Sequence, residues 1–350
     1  MSFTISIPDA LRRSVEAASK GRNTVVYTAK GQPCFMYVLR KFNVEDIDAS
    51  LGSGVHPAFV IDGVEKDAIL IGMYGGAEVD GELVSQPGRK VRNSISHDNS
   101  VILGRATGAG FHLVTNAEYA AIGLRCWKDG FQPNGNSVSG RSSDDMSEYG
   151  VSEDGVPLPN AGGSRILSGS GPTTWRHDNT PFGIADLNGN VWEWTPGMRI
   201  DAGEIHVLEN NDAALAAADL SAGSAAWRAI DGATGDLVAT GHANAVKYNV
   251  SGTADYTLVS TNNSAIQVMT NPGGTPVSTA ALQRCKALGL FPIAASLKGD
   301  GFYINTSGER VGARGGDYTR GSKSGVFAVN VSYARHATDP SVGCRPAFAI

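Results

Sequence analysis

Two tryptophans placed two positions apart, Trp192 and Trp194, constrain the fold of this chain more than any other feature. Alternate residues of a β-strand point to the same face of a sheet, so both indole rings are expected on one buried face. Glu193 then points to the opposite face. The run Gly-Asn-Val-Trp-Glu-Trp-Thr at residues 189–195 therefore predicts a strand inside a substantial core.

The composition predicts a soluble globular protein with many turns. The chain has 350 residues, of which 41% are hydrophobic and 18% are charged, so it is long enough to bury a sizeable core. Glycine contributes 44 residues, a share well above the usual ~7%. Because glycine adopts positive φ without steric cost, this abundance favours short elements joined by tight turns.

Charge and hydropathy argue against two classes of partner. The net charge of −5 does not suit a general nucleic-acid binder, which needs a basic face to neutralise phosphates. No stretch approaches the ~18 apolar residues of a membrane span. The first five residues lack the basic-then-apolar order of a secretory signal. We therefore expect no nucleic acid, no membrane insertion and synthesis in the cytoplasm without a signal peptide.

The four cysteines are scattered and form no C-x-x-C pair, so the sequence favours buried free thiols over a disulfide framework or a zinc cluster. They are Cys34, Cys126, Cys285 and Cys344.

The chain divides into an N-terminal block, residues 1–54, and a main domain, residues 55–350, with an insertion at about residues 200–300. The block is predicted to be an attachment or oligomerisation module, or else to add strands to the main domain. It opens with a helix for which Ser6 is a candidate cap. Three further helices are predicted: one after residue 115 with a capping box, one over residues 212–226 and one over residues 278–288.

Two His-Asp pairs, at residues 97–98 and 177–178, lack the spacing of a metalloenzyme site, and no nucleophile elbow or phosphate-binding loop accompanies them. A position in a solvated loop or a structural hydrogen bond is the expected role of each pair. Asp186 and Glu193, with backbone carbonyls between them, could supply the oxygens that Ca²⁺ requires. The alternative is a polar network that holds a tight loop without metal.

The last forty residues combine two anchors with a permissive interior. Residues 314–318 (Arg-Gly-Gly-Asp-Tyr) and 342–345 (Val-Gly-Cys-Arg) enclose a Gly-, Ser- and Thr-rich stretch. The apolar run at residues 326–329 is typical of a strand buried on both faces. Arg314 and Arg345 are expected to tie the two ends by hydrogen bonds. Such a frame favours display of changeable side chains over chemistry.

The polar side chains left between the anchors are of the types favoured in adaptable binding loops. Their positive side chains outnumber Asp317 and Asp339, which favours an anionic target and binding that weakens with salt. The predicted ligand-binding residues are Tyr318, Thr319, Arg320, Ser322, Lys323, Asn330, Ser332, Tyr333, Arg335 and His336.

Four motifs in order resemble the formylglycine-generating-enzyme branch of the C-type lectin fold. They are Thr-x-x-Glu-Tyr-Ala-Ala at residues 115–121, the Trp-rich motif at 189–195, Arg-Gly-Gly at 314–316 and Gly-x-Arg at 343–345. The resemblance covers about residues 55–350 and implies an α+β C-type lectin fold with short strands, few helices and long ordered loops. It also implies a structural calcium site made by the side chains of Asp186 and Glu193 and the carbonyls of Gly189 and Val191.

The enzymes of this family bind copper and activate oxygen through two cysteines in the C-terminal segment. This sequence has no cysteine between Gly316 and Gly343, and Cys344 lies in the Gly-x-Arg anchor, where the family usually has an aromatic residue. The histidine cluster of the related sulfoxide-forming iron enzymes is also missing. The resemblance therefore implies a protein that is not an enzyme and binds no copper.

The C-terminal region looks like that of phage variable proteins diversified by retroelements. This resemblance implies a virion tail or fibre component that binds a bacterial surface receptor, a protein or an anionic glycan, through residues 314–346. It further implies contacts with other virion proteins and a homo-oligomer, expected to be a trimer. Two alternatives stay open: a virion structural or decoration protein, which would bury Tyr318, Tyr333 and Arg335 in assembly contacts, and an oxidase with a displaced site.

Overall fold

Short strands dominate a mixed α+β fold. The computed structural model describes residues 9–156 and 164–349. The helices in these ranges are α1 (Ala10–Ser19), α2 (Val44–Ile47), α3 (His97–Ala106), α4 (Asn116–Lys128) and α5 (Thr279–Ala287). The strands are β1 (Asn23–Tyr27), β2 (Pro33–Arg40), β3 (Val60–Ile61), β4 (Val64–Glu65), β5 (Ala68–Gly72), β6 (Ala77–Val79), β7 (Glu82–Val84), β8 (Phe111–Leu113), β9 (Trp192–Asp201), β10 (Glu204–Val207), β11 (Arg228–Ile230), β12 (Leu237–Ala239), β13 (Lys247–Asn249), β14 (Thr257–Val259), β15 (Ser264–Ala265), β16 (Gly301–Ile304), β17 (Glu309–Gly315), β18 (Gly325–Tyr333), β19 (Val342–Gly343) and β20 (Pro346–Phe348).

The first sheet joins the two ends of the described chain. Its five strands run in the order β1-β2-β5-β20-β8, and every neighbouring pair is antiparallel. The N-terminal block therefore contributes β1 and β2 to a sheet that also contains the last strand, as one of the two sequence-based alternatives expected. An attachment role for the block stays a prediction.

The second sheet has eleven strands, and its main path is β12-β11-β10-β9-β17-β18-β16-β15. Strand β9 and the C-terminal strands β17 and β18 lie next to one another near its middle. Strands β10 to β15 all come from the stretch between residues 200 and 300. The predicted insertion therefore extends this sheet at both of its ends.

The tryptophan pair packs as its spacing predicts. Trp192 and Trp194 are both fully buried and belong to the same hydrophobic cluster on one face of β9. Each indole N–H is satisfied: that of Trp194 donates to the carbonyl of Ile95 at 2.9 Å, and that of Trp192 donates to Asp317 Oδ2 at 3.0 Å. The two rings therefore hold β9 against two other parts of the chain.

Helix α4 begins with the predicted capping box. The Thr115 side chain accepts from the backbone N–H of Glu118, and the Glu118 carboxylate accepts from the backbone N–H of Thr115. Helix α5, capped by Ser278, also confirms its prediction. The candidate cap Ser6 lies outside the described residues, and the described part of α1 is capped by Asp9.

The helix predicted over residues 212–226 is wrong. The structure has a single 3₁₀ turn at Asp212–Ala214, followed by irregular turns. Short polar side chains bind nearby backbone there: Asp219 Oδ1 accepts from the N–H of Ser221, and Ser224 Oγ accepts from the N–H of Ala226. Such local bonds compete with helical ones, which explains the failure of a prediction based on alanine content.

All four cysteines are free and buried, as predicted. Burial raises the pKa of the Cys285 and Cys344 thiols to about 12. Within the two described ranges, no helix has the length and apolar character needed to cross a membrane.

A buried ion pair links the two sheets. Glu193 on β9 accepts from Arg345 through both carboxylate oxygens, at 2.6 Å to Nη2 and 2.9 Å to Nε. The same guanidinium donates to the carbonyl of Gly72 at the end of β5 and to that of Ala185. Although burial opposes the charged form, the Glu193 carboxylate raises the pKa of Arg345. One side chain thus bonds three separate chain segments.

Replacing Arg345 with Met should lower the free energy of unfolding by about 3–5 kcal/mol, because it leaves the Glu193 carboxylate buried without its partner. Urea unfolding of the single variants Arg345→Met and Glu193→Leu and of the double variant measures this. The double variant should lose less than the sum of the single losses, since it leaves no unpaired charge. Additive losses would show that the two residues act independently.

Candidate ligand-binding surface

A glycine turn directs the chain out of the core after β17. Gly315 and Gly316 have φ of +95° and +86°, which favours glycine at both positions. A Cβ on Gly316 would lie 2.3 Å from the hydroxyl of Ser324, so no other residue fits there without rearrangement. The turn allows residues 317–324 to cross the end of the second sheet before β18 re-enters the core.

The side chain of Asp317 binds residues 317–324 to the core. Its carboxylate is fully buried and accepts from the indole N–H of Trp192 at 3.0 Å and from the side chain of Arg320 at 2.8 Å. It also accepts from the backbone N–H of Thr319 at 2.7 Å and from the Thr319 hydroxyl. This buried carboxylate accepts four hydrogen bonds and so stabilises the loop. A hydrogen bond to an ionised group contributes more to stability than a hydrogen bond between two neutral groups.

A second loop flanks the segment and was not identified from the sequence. The backbone N–H of Ser139 donates to the carbonyl of Tyr318 at 2.7 Å, and that of Gly321 donates to the carbonyl of Ser137 at 2.9 Å. The Arg165 guanidinium lies 5.9 Å from the centre of the Tyr318 ring. These residues belong to a Gly-, Ser- and Asn-rich stretch, whose composition predicts an ordered loop but not its contact with a segment about 180 positions later.

Only part of the predicted surface is open to solvent. Thr319, Arg320, Ser322 and His336 are exposed, whereas Tyr318, Lys323, Ser332, Tyr333 and Arg335 are half-buried. Asn330 was predicted to face solvent, and this is wrong: it is 3% exposed.

Asn330 is buried because β18 runs between two strands at that position. It pairs with Tyr303 of β16 and with Ala313 of β17. Its side-chain oxygen accepts from the backbone N–H of Ser332 at 2.9 Å and from the Ser332 hydroxyl at 2.7 Å. The Asn330 amide therefore fixes the backbone near the end of β18. Asn330 belongs to the buried frame of the C-terminal segment and not to its surface.

The side chains of Tyr333 and Arg335 mainly contact other parts of the protein. The Tyr333 ring packs edge-on against Trp194 with centroids 5.4 Å apart, and burial raises the pKa of its phenol to about 12. The Arg335 guanidinium contacts Glu309 at 2.6 Å and Asp98 at 2.8 Å, with its side chain 13% exposed. His97 Nδ1 lies 3.0 Å from the same Asp98 carboxylate, so the first His-Asp pair has the structural role expected of it.

Internal ion pairs reduce the positive charge that the segment presents. Arg320 is paired with Asp317, and Arg335 with Glu309 and Asp98. Within residues 9–156 and 164–349, Lys323 and His336 have no carboxylate partner; the Lys323 ammonium instead donates to the backbone carbonyl of Asn263. The excess of cations counted from the sequence thus overstates the charge available to an anionic target.

The structure gives different roles to the residues that were predicted to bind calcium. Glu193 does not fit the role of a ligand, because both of its oxygens accept from Arg345. Asp186 fits better: its Oδ2 accepts from the N–H of Gly169 at 2.7 Å, whereas its buried Oδ1 has no hydrogen-bond partner. Gly189 and Val191, whose carbonyls complete the predicted set, lie in the loop that leads into β9.

No group of three or more His, Cys, Asp or Glu side chains in the described part of the chain is arranged to hold a metal ion. Calcium binding through Asp186 and neighbouring carbonyls stays a prediction. Elemental analysis of the purified protein, together with melting in the presence and absence of a chelator, measures it.

No protein-family model matches this chain, and no curated protein matches it.

Asp300 is a buried acidic residue that contacts β18, the strand that follows residues 317–324. It is 2% exposed, and its Oδ2 accepts from the backbone N–H of Phe327 at 2.7 Å. Gly325 lies so close that a Cβ there would be 2.1 Å from Asp300 Oδ1. Burial raises the pKa of Asp300 to about 8, although the hydrogen bond from the Phe327 N–H and the charge of Lys298 oppose the shift. The folded state therefore holds the Asp300 proton to a higher pH than the unfolded state does.

The contribution of Asp300 to stability should fall as pH rises from about 4 to about 8, because the folded state holds a proton that the unfolded state releases near its ordinary pKa of 3.8. Burial lowers the pKa of His56 and His177 to about 4, so these two residues contribute in the opposite direction up to their ordinary 6.5. The Asp300 contribution is therefore read as the difference between the wild type and Asp300→Asn at each pH. The contribution of Asp300 is full below pH ~4, decreases by up to ~1.4 kcal/mol per pH unit, and is constant above pH ~8. Asp300→Asn, which keeps an acceptor for Phe327, should remove this slope in urea unfolding. Asp62→Asn, at an exposed position, should keep it; an unchanged slope in Asp300→Asn would contradict the assignment.

Proposed function

We propose that this chain is a non-enzymatic ligand-binding protein with a C-type lectin fold, of the receptor-binding kind found in phage or prophage tail fibres. Its ligand would be a molecule on the bacterial surface. The observation that carries the proposal is the contrast across residues 317–324: a fully buried Asp317 anchors the segment, while Thr319, Arg320 and Ser322 are exposed beside it. A change of Ser322 removes no bond to Asp317, and changes of Thr319 or Arg320 leave the bonds from the Trp192 indole and the Thr319 backbone N–H in place.

The arrangement of the sheets supports the fold assignment. The last strand, β20, lies between β5 and β8, so the end of the chain returns to the sheet in which it begins. Between these ends, β9, β17 and β18 form the centre of the second sheet, and the loop after β17 lies outside it. Two of the four motifs that carry the family resemblance, residues 189–195 and 314–316, therefore lie on or beside the central strands β9 and β17. The motif at residues 115–121 lies at the start of α4, and that at residues 343–345 follows the short strand β19.

The binding surface proposed here is smaller than the sequence-based one. It comprises the exposed Thr319, Arg320, Ser322 and His336, with Tyr318 and Lys323 at its edge. Asn330, Tyr333 and Arg335 belong to the frame, since they are buried or committed to contacts with Ser332, Trp194 and Glu309. A binding surface of hydroxyls, one aromatic ring and few free charges favours a hydrogen-bonding ligand.

The buried state of Cys344 supports a role without oxidase chemistry. Its thiol is fully buried, and burial raises its pKa to about 12, so it is not a thiolate at neutral pH. Copper binding and oxygen activation by a cysteine require the thiolate. A homotrimer on a virion, which would multiply weak contacts by avidity, stays part of the proposal.

Binding of the labelled full-length protein to a panel of bacterial cells and to arrays of acidic and neutral glycans tests the proposal. The triple variant Tyr318→Ala/Ser322→Ala/His336→Ala should lose binding at least tenfold while keeping the wild-type Tm, because none of these three side chains bonds the Asp317 carboxylate. The control Ser251→Ala/Thr253→Ala, at exposed sites in another part of the chain, should bind as wild type.

Retained binding by the triple variant would place the ligand elsewhere, and binding to no cell or glycan would favour a structural role in a virion. A salt titration of any binding detected separates the two ligand classes. Strong weakening by salt indicates an anionic target, and a small effect indicates recognition through neutral hydrogen bonds.

A further inference from the structure

The loop that flanks residues 317–324 carries a cluster of exposed apolar side chains. Ten large hydrophobic residues of the described ranges are exposed, and four of them lie between positions 146 and 156. Among these four, Met146, Tyr149 and Val151 are 47%, 59% and 55% exposed. Single exposed apolar residues are normal on a protein surface, whereas a cluster of them marks a place where another molecule binds.

The backbone of this loop directs Tyr149 and Val151 to the same side. Gly150 is buried between these two exposed residues, as the alternation of an extended chain requires. The backbone N–H of Gly150 donates to the carbonyl of Gly140 at 3.1 Å, and that of Val151 donates to the hydroxyl of Ser170 at 2.9 Å. The two exposed side chains therefore project from a backbone that is bonded on both sides.

Glu148 fixes the position of the chain just before Tyr149. Its carboxylate accepts from the indole N–H of Trp175 at 2.8 Å, from the Thr174 hydroxyl at 2.6 Å and from the side-chain amide of Asn134 at 2.9 Å. The loop is thus ordered before any partner arrives. A partner that binds to an ordered loop does not have to offset the conformational entropy of ordering it.

The apolar cluster adjoins the exposed C-terminal segment at Tyr318. Near the start of the loop, the backbone N–H of Ser139 donates to the carbonyl of Tyr318 at 2.7 Å. After Val151, the backbone N–H of Glu153 donates to the carbonyl of Arg165 at 3.0 Å, and the two side chains form an ion pair. The Arg165 guanidinium lies 5.9 Å from the centre of the Tyr318 ring. The loop therefore reaches the segment from two directions.

The chemistry and the size of this surface restrict its partner. Sugar hydroxyls require hydrogen-bond partners, and the side chains of Met146 and Val151 offer none of useful strength. Apolar side chains of a protein match them, and Tyr and Met are enriched at the centres of protein interfaces. Three side chains cover less than the ~800 Å² that each partner contributes to a stable complex, so the polar segment must share the contact.

We infer that Met146, Tyr149 and Val151 form, together with residues 317–324, one docking surface for a protein on the bacterial cell. The apolar side chains would lose water against apolar side chains of that protein, while Ser322 and its polar neighbours bond its polar groups. The inference rests on the proposed function, since it names the class of ligand that the segment binds.

Binding of the labelled full-length protein to the panel of bacterial cells, before and after digestion of the cells with proteinase K, tests the inference. Digestion should remove the binding. The variant Met146→Gln/Tyr149→Gln/Val151→Thr should bind undigested cells at least tenfold more weakly, because aromatic and apolar anchors dominate protein interfaces. It should keep the wild-type Tm, since only exposed side chains change. Tyr149→Gln alone, with a smaller loss, replaces it if the triple variant does not fold.

The control Leu11→Gln/Tyr27→Gln/Val64→Thr makes the same kind of change at exposed positions of α1, β1 and β4 and should bind as wild type. Binding that survives digestion would identify a glycan ligand, and wild-type affinity of the loop variant would show that the loop takes no part. Either result overturns this inference alone. A changed oligomeric mass of the loop variant, measured by light scattering, would assign the cluster to a second copy of the chain and overturn it as well. Absence of wild-type binding to every cell type would overturn the proposed function together with the inference.

Discussion

The buried ion pair between Glu193 and Arg345 is the interaction on which the two-sheet arrangement depends. Glu193 lies on the central strand of one sheet, and Arg345 precedes β20, an inner strand of the other; the guanidinium also bonds the carbonyls of Gly72 and Ala185. A charge removed from water in this way is stable only with a full set of partners. The pair therefore joins residues 152 positions apart in the chain.

The same principle explains how an exposed loop can be held rigidly. Asp317 accepts from the core tryptophan Trp192 and from two residues of the loop itself, so the backbone of the segment is bonded to the interior through one side chain. Of the exposed side chains, those of Thr319 and Arg320 donate to Asp317, whereas that of Ser322 does not. Stability and specificity are therefore separable at Ser322, because its substitution leaves every bond to Asp317 in place.

Sequence reasoning succeeded where the signal was local and failed where it depended on distant neighbours. The tryptophan pair, the capping box of Thr115 and Glu118, and the buried run at residues 326–329 follow from periodicity and short-range bonding, and the structure has all three. Asn330 and Arg335 were assigned to the surface because polar side chains usually lie there. Their burial depends on strands β16 and β17 and on Glu309, whose positions no local pattern reveals.

Local patterns in the sequence determined the buried free thiols, the face on which each tryptophan packs and the capped helices, whereas the α+β class came from the motif resemblance. The local properties follow from alternation, capping and the spacing of the cysteines, which the sequence shows directly. Only the tertiary structure decided which charges of the C-terminal segment are already neutralised and which side chains remain open to a ligand. The reason is physical: an ion pair or a cavity exists only when separate strands meet, and the loops that bring them together carry no periodic signal.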